Sequence, residues 1–184
     1  MKIIPTQLDG VRIVESESLG DHRGVFTRWF CEEELSEILG HRRIIQINRS
    51  RTETQGAVRG LHFQRPPHAE MKLIRCIRGS VWDVALDLRT GSPTFLKWHS
   101  ETLTESDNKM AVIPEGFAHG FQVLAPSSEL LYLHTAAYQP EAEGGIRFND
   151  PLVGINWPME VGDLSDRDQS HALMEDSSFD GVSL

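Results

Sequence analysis

Short runs of alternating apolar and polar residues dominate the chain after residue 40. The runs end at turn residues such as Gly91, Pro93 and Pro126, and their period of two is typical of a strand with one buried face. The pattern predicts strands at 43–50, 72–79, 80–89, 94–103, 109–117, 120–125 and 129–138. Segment 31–40 carries acids in its first turn and ends in glycine, which predicts a helix. Strands without helices between them indicate an all-β fold, an antiparallel sandwich or jelly roll with a few short helices.

Length and charge limit the classes of protein that remain. The length of 184 residues and the 39% of hydrophobic residues predict one domain over 1–184 with a buried hydrophobic core. The net charge of −9 argues against a nucleic-acid partner. Segment 159–184 is acidic, with a net charge of −6, whereas segment 42–78 has a net charge of +7. This uneven distribution indicates a small anionic ligand, although a solvated basic strand face is an equal alternative.

Cysteine usage and hydropathy predict the compartment. Cys31 and Cys76 are too few for a disulfide framework, and no apolar run approaches the roughly 18 residues of a membrane span. The first residues lack the order of a signal peptide. We therefore expect a cytoplasmic protein with no membrane segment.

Two segments, 56–79 and 112–123, resemble the two motifs of the cupin family. The second contains Pro-x-Gly-x-x-His, which ends at His119. In a metal-binding cupin the first would supply His-x-His and then a glutamate. Here His62 is followed by Gln64, and Lys72 stands where the glutamate would be. An ammonium cannot bind a metal ion, so we expect no metal; it can stabilise a developing oxyanion instead.

A longer series of motifs narrows the resemblance. From about residue 10 to residue 168 the chain resembles the dTDP-4-dehydrorhamnose 3,5-epimerase family, through DHRGVF, QINRS, RGLHFQ, KLIRCIRGSVWDVALDLR, PEGFAHGF, EGGIRFNDPLVGINWP and LSDRD. The resemblance implies a cupin-like jelly roll without cofactor, usually a homodimer. It implies a substrate that is a nucleotide-diphosphate 4-keto-6-deoxyhexose, epimerised at C3 and C5.

Epimerisation beside a ketone needs a base, an enolate-stabilising group and an acid on the opposite face. The resemblance implies that His62 is the base, a suitable role because imidazoles exchange protons near neutral pH. It also implies that Asp168 orients the His62 ring. Tyr132 matches the family's proton donor, and Lys72 would face the C4 oxygen. Taken without the resemblance, these are an ordinary strand histidine, a solvated acid and a strand aromatic.

The resemblance also implies a binding set, and the chain departs from the family at part of it. Guanidinium groups suit phosphate oxygens. The implied substrate-binding residues are Arg23, Arg28, Gln46, Asn48, Arg59, Lys72, His119, Tyr138, Glu143 and Arg167. Arg28 replaces a usual acid, Leu133 a usual lysine and Arg167 another lysine. Arg28 indicates a changed nucleotide preference if it touches the ligand; the alternative is that it pairs with Glu32 or Glu33.

Three other functions remain open at this point. A single-carbon epimerase or keto-isomerase on another nucleotide 4-ketosugar would use the same residues. A metal-dependent cupin oxygenase is disfavoured by Gln64 and Lys72. A non-catalytic sugar-nucleotide binding module is disfavoured because His62, Lys72, Tyr132 and Asp168 are all retained.

Overall fold

Antiparallel strands make up most of the regular structure in the computed structural model, which describes residues 1–177 and 179–184. In this part of the chain the strands are β1 (Lys2–Pro5), β2 (Arg12–Glu15), β3 (Ser18–Asp21), β4 (Gly24–Thr27), β5 (Gln46–Thr52), β6 (Val58–Gln64), β7 (Lys72–Arg78), β8 (Ser80–Asp87), β9 (Trp98–Thr104), β10 (Lys109–Ile113), β11 (Phe117–Val123), β12 (Ser128–His134) and β13 (Glu143–Gly145). The helices are α1 (Ser36–Leu39) and α2 (Asp166–Ser170), with single 3-10 turns at Pro140–Ala142 and Met174–Asp176.

The strands form two large sheets and one separate hairpin. One sheet has the order β1-β2-β10-β7-β12-β5, and the other has the order β13-β6-β11-β8-β9. Strands β3 and β4 pair only with each other. Every pairing of named strands is antiparallel, which confirms the predicted all-β class.

The side chains that face the space between the two large sheets are apolar at one end of the sandwich and polar at the other. Along β7, Ile74 and Cys76 belong to the buried apolar core, whereas Lys72 lies at the polar end. Along β12, Leu130 is in the core, whereas Tyr132 borders the polar end. The apolar part stabilises the sandwich, and the polar part is left open as a pocket.

The outer faces of both sheets are also covered. Leu73, Met110 and Leu133 on the six-stranded sheet pack with Leu35 and Leu39 from the α1 region. Alternation along β12 therefore turns Leu133 away from the pocket. The replacement of the family's usual lysine by Leu133 thus affects the apolar cluster on the outer face of this sheet. The other sheet packs against apolar residues of the C-terminal segments, among them Ile146, Val153, Met174 and Val182.

The predicted helix at 31–40 was too long, since only Ser36–Leu39 is α-helical and residues 32–35 form turns. Leu35 occupies the N-cap and makes no side-chain hydrogen bond, so the first turn has no cap to extend it. Glu34 instead pairs with the amino group of Met1 and with Arg28. No helix in the described residues is long and apolar enough to cross a membrane.

Several strand boundaries also differ from the prediction. The strand predicted at 94–103 begins only at Trp98, because Asp87 accepts hydrogen bonds from Ser92 and Thr94 and holds that segment as a turn. The strand predicted at 43–50 is shifted to Gln46–Thr52. Strands β1 to β4 and β13 are three or four residues long, too short to give a clear alternating pattern.

Gly60 allows β6 and β11 to approach closely beside the pocket, which predicts a large cost for an added methyl group. Its φ is +114°, and a Cβ would lie 2.6 Å from the Cα of Gly120. Gly91 has a φ of +75° but nothing within 4 Å of its Cβ position, so it is the matched control. We expect Gly91→Ala to cost about 1–2 kcal/mol from backbone strain alone, and Gly60→Ala to cost about 2 kcal/mol more. Urea unfolding of both variants measures the difference, and equal stabilities would contradict the account.

Candidate active site

The pocket at the polar end of the sandwich encloses about 560 Å³. Its walls come from both sheets and from the C-terminal segment that includes α2. Ten of the predicted site residues line it: His62, Tyr132, Asp168, Asn48, Arg59, Lys72, His119, Tyr138, Glu143 and Arg167. Gln46, Arg23 and Arg28 are not among the lining residues.

His62 and Asp168 form a tight pair on one wall. His62 Nε2 lies 2.6 Å from Asp168 Oδ1, and the backbone N–H of Gly60 donates to Asp168 Oδ2 at 3.1 Å. The N-cap residue Ser165 accepts from the Asp168 N–H, which begins α2 and fixes the carboxylate. Burial alone would raise the pKa of Asp168, but the bond and charge of His62 together with the bonds from Gly60 and Ser165 outweigh it, and the pKa is lowered. An ionised Asp168 therefore holds the Nε2–H tautomer of His62 and leaves Nδ1 free to accept a proton.

His171 packs beside this pair. The rings of His62 and His171 are edge to face, with centroids 6.3 Å apart. Burial lowers the pKa of His171, and positive charge on His62 lowers it further. Ligand atoms of His62, Asp168 and His171 lie within 4.8 Å of one another, so these residues have the spacing to hold a divalent ion. Because Asp168 is already committed to His62 and Gly60, a metal would compete with those bonds; the expectation of no metal stays a prediction.

Lys72 and Tyr132 face His62 from the opposite sheet. The Lys72 ammonium is buried and donates to the backbone carbonyl of His62 at 3.1 Å. The Tyr132 hydroxyl lies 3.0 Å from Ser50 Oγ, and burial strongly raises its pKa. Tyr132 therefore keeps its proton at neutral pH and can give it only to a strong base such as an enolate carbon.

A second imidazole–carboxylate pair lies deeper in the pocket. His119 Nε2 is 2.7 Å from Asp83 Oδ2, and both side chains are buried. The His119 ring meets the edge of Tyr132 with centroids 6.1 Å apart. Strand pairing sets His119 opposite His62, so this ring borders both side chains that can exchange protons.

Three of the predicted binding residues form one cluster at the mouth. Glu143 accepts from Tyr138 Oη at 2.6 Å and pairs with Arg167 at 2.6 Å. Burial would raise the pKa of Glu143, but these two partners lower it. Gln46 supports the cluster from outside, because its Oε1 accepts from the Tyr138 backbone N–H at 3.1 Å. The cluster sets an aromatic ring and a guanidinium side by side, a pair suited to a base and a phosphate.

Arg23 and Arg28 lie apart from this pocket. Arg23 is in the β3–β4 turn and pairs with Asp21. Arg28 pairs with Glu34 at 2.6 Å, rather than with Glu32 or Glu33, and borders a small separate cavity. Within one chain, neither guanidinium is placed to touch a ligand near His62.

Sequence reasoning missed several pocket residues. Glu70, Ser50 and His134 line the cavity, and Asp83 and His171 contact its histidines. The available signal was the alternation along β12, which puts His134 on the same face as Tyr132. Glu70 lies two residues before the start of β7, so it is not part of an alternating pattern.

Together, an oriented imidazole, a buried ammonium and a protonated phenol can remove a proton, hold an oxyanion and return a proton. The fold and site thus define a cupin-like jelly roll with an acid–base pocket. The chain belongs to the dTDP-4-dehydrorhamnose 3,5-epimerase family, whose model matches residues 5–176. This confirms the family resemblance and the class of isomerase expected from it.

Similar proteins cover nearly the whole chain. A dTDP-4-dehydrorhamnose 3,5-epimerase of Shigella flexneri is 39% identical over 180 residues, 97% of this chain and 99% of that protein. A dTDP-6-deoxy-D-glucose-3,5-epimerase of Legionella pneumophila, solved with dTDP-4-keto-L-rhamnose, is 40% identical with a TM-score of 0.86, covering 91% of this chain and 89% of that one. A dTDP-4-dehydrorhamnose 3-epimerase of Streptomyces niveus is 35% identical over 183 residues, 99% of this chain and 88% of that protein.

Proposed function

We propose that this chain is a cofactor-independent cytoplasmic epimerase that acts at C3 and C5 of a dTDP-linked 4-keto-6-deoxyhexose. The observation that carries the proposal is the placement of His62 and Tyr132 on opposite sheets of one pocket, with Lys72 reaching from the Tyr132 sheet to the His62 carbonyl. The Shigella and Legionella relatives support the substrate class. The free thiols of Cys31 and Cys76 support a reducing compartment.

Proton removal is the first step. Nδ1 of His62 takes the proton from C3 or C5, and the bonding electrons move to the C4 oxygen to form an enolate. Lys72 donates a hydrogen bond to that oxygen and lies close enough to be ordered by the His62 carbonyl. Asp168 stabilises the imidazolium that results, while His119 orients the sugar.

Reprotonation from the other face inverts the carbon. Tyr132 gives its proton to the enolate carbon and the C4 carbonyl re-forms. His62 then carries one extra proton and Tyr132 lacks one; exchange with water restores both. The same pair serves the second carbon after the sugar has shifted in the pocket. Arg167, Tyr138 and Glu143 hold the nucleotide end, while Arg59 and Asn48 contact other parts of the ligand.

A single-carbon epimerase is the second candidate. The Streptomyces niveus relative, named as a 3-epimerase, supports it. Both candidates use His62 and Tyr132 in the same way, and they differ in whether the sugar can present its second carbon. A keto-isomerase would need the same proton removal and a different site of return.

We also propose a homodimer in which the β3–β4 hairpin reaches the partner's pocket. Leu19, Val25 and Phe26 on this hairpin are 64%, 73% and 66% exposed, which is unusual for a cluster of large apolar side chains. Ile45 and Ile47 beside the pocket are also exposed, and β5 is an edge strand. Pairing these surfaces buries both and brings the implied ligand residues Arg23 and Arg28 to a pocket whose mouth Gln46 already supports.

The base assignment predicts the outcome of deuterium exchange. With a dTDP 4-keto-6-deoxyhexose in D₂O, the unmodified protein incorporates deuterium at C3 and C5 by NMR, with chelator present throughout. We expect His62→Ala to abolish exchange at both carbons, and Asp168→Asn to lower it by about 10²–10⁴-fold because the tautomer is no longer fixed. Near-normal exchange by His62→Ala would contradict the assignment. Loss of exchange by the unmodified protein on chelation would favour the metal-dependent alternative.

The oxyanion role of Lys72 predicts a difference between turnover and binding. We expect Lys72→Met to lower kcat by about 10²–10³-fold while KM changes little, because the contact strengthens as enolate charge develops. Steady-state kinetics gives both constants, and Lys97→Met, outside the pocket, is the matched control. An increase in KM with unchanged kcat would mean that Lys72 only holds the substrate.

The dimer proposal predicts that a charge on the hairpin separates the subunits. We expect Phe26→Asp to sediment as a monomer and to bind dTDP more weakly, while Leu152→Asp remains a dimer. Leu152 is a fair control because it is 56% exposed and lies away from the hairpin. Sedimentation and calorimetry measure the two effects. A monomeric unmodified protein, or a Phe26→Asp dimer with full dTDP affinity, would contradict the proposal.

A further inference from the structure

The pocket contains a third imidazole–carboxylate pair that the mechanism above does not use. His134 Nδ1 lies 2.7 Å from Glu70 Oε2, and both side chains are about nine-tenths buried, at 11% and 8% exposure. Both residues line the same cavity as His62. A buried carboxylate is costly unless it is paired, so the placement of Glu70 beside the reacting groups calls for a reason.

Glu70 is shared between His134 and Lys72. Its second oxygen, Oε1, lies 3.4 Å from Lys72 Nζ, and that ammonium also donates to the His62 carbonyl at 3.1 Å. An ammonium has three N–H groups. The His62 carbonyl accepts from one of them, and the Glu70 carboxylate lies against the ammonium on a second side. The side that faces the pocket is left for a substrate oxygen.

Strand register explains why His134 can hold Glu70 in place. The pairing of β12 with β7 sets His134 directly opposite Lys72. On the other ring nitrogen, Asn48 Nδ2 lies 3.3 Å from His134 Nε2. An amide nitrogen only donates, so Nε2 accepts and Nδ1 carries the hydrogen that points at Glu70. In the row Asn48–His134–Glu70–Lys72, Asn48 thus donates to His134 and His134 donates to one Glu70 oxygen, while the Lys72 ammonium lies against the other oxygen.

The row also reaches the proton donor. The His134 ring stacks on Tyr132, with centroids 6.0 Å apart and planes at 21°. A displacement of about 1 Å in a catalytic group can cost about 10²-fold in rate. A side chain that braces both Lys72 and Tyr132 therefore has leverage on turnover without touching the reacting atoms.

We propose that Glu70 and His134 form a positioning pair that holds the Lys72 ammonium toward the C4 oxygen; the idea rests on the epimerase function proposed above. Glu70 supplies a counter-charge 3.4 Å from the buried ammonium. His134 fixes the direction of that carboxylate. Neither residue is a catalytic residue.

Kinetics of three variants test the pair. We expect His134→Ala and Glu70→Gln each to lower kcat by about 10- to 100-fold, with KM and dTDP affinity within about twofold of the unmodified protein. His134→Asn keeps an N–H donor near the position of Nδ1 and is expected to restore most of kcat. His99→Ala is the matched control, because His99 lies on β9 outside the pocket and bonds to Gln7.

Each outcome decides the proposal. A kcat near that of the unmodified protein for Glu70→Gln would overturn it, and so would equal losses in His134→Ala and His134→Asn. An effect on KM alone would mean a contact with substrate rather than positioning. Thermal unfolding shows whether His134→Ala is folded, and the isosteric Glu70→Gln remains decisive if it is not.

A spectroscopic readout separates this proposal from the proposed function. In protein labelled with ¹⁵N-lysine, the Lys72 ammonium signal is identified by its absence in Lys72→Met. We expect that signal to shift in Glu70→Gln and His134→Ala and to return in His134→Asn. A protein that turns over no nucleotide 4-ketosugar yet shows these shifts refutes the epimerase and supports the positioning pair. If the protein is active but the Lys72 signal does not shift in the variants, the positioning pair is refuted and the epimerase function is not.

Discussion

The bond between Asp168 and His62 joins the C-terminal segment to the sandwich, and the rest of the site depends on it. One carboxylate accepts from the imidazole at 2.6 Å and from the Gly60 N–H at 3.1 Å. The same contact therefore forms part of the pocket wall, sets the ring tautomer and helps to lower the pKa of Asp168 despite its burial. Gly60 is needed at this point because only a residue without a Cβ lets β6 pass so near β11.

The second constraint is the loss of metal ligands from the cupin motif. Lys72 and Gln64 stand where ligands would be expected, and their side chains have other tasks. Gln64 accepts from the Gln139 N–H and donates to the carbonyls of His68 and Ala137, so it ties loops around the mouth. Lys72 brings a fixed positive charge into a buried site, which needs a nearby carboxylate to remain stable. The polar end of the sandwich is thus built from charge pairs.

Much of the fold could be predicted from the alternation of apolar and polar residues, and much of the site from sequence motifs. The alternating runs after residue 40 predicted β5 and β7 to β12, because a half-buried strand imposes a period of two. Strand β6, which carries His62 inside the second sheet, was not among the predicted strands. The hairpin β3–β4 was not predicted, since its apolar side chains face solvent in a single chain and its strands are four residues long. The helix predicted at 31–40 is reduced to Ser36–Leu39, because Leu35 at the N-cap makes no side-chain hydrogen bond. Alternation along β12 places His134 on the same face as Tyr132. Its role, like the roles of Glu70 and His171, depends on contacts between distant segments, which the sequence does not show. Arg23 matched the family by motif and Arg28 departed from it, and within one chain neither side chain lines the pocket.

The central claim is that Asp168 fixes His62 as the Nε2–H tautomer, so that Nδ1 acts as the base. Long-range ¹H–¹⁵N correlation spectra of histidine-labelled protein bound to dTDP report this directly, with His62→Gln identifying the signals. We expect a ring that carries its hydrogen on Nε2, with the acceptor-type shift on Nδ1. We also expect Asp168→Asn to mix the two tautomers while the fold is kept. A His62 ring that carries its only hydrogen on Nδ1 in the unmodified protein would contradict the account.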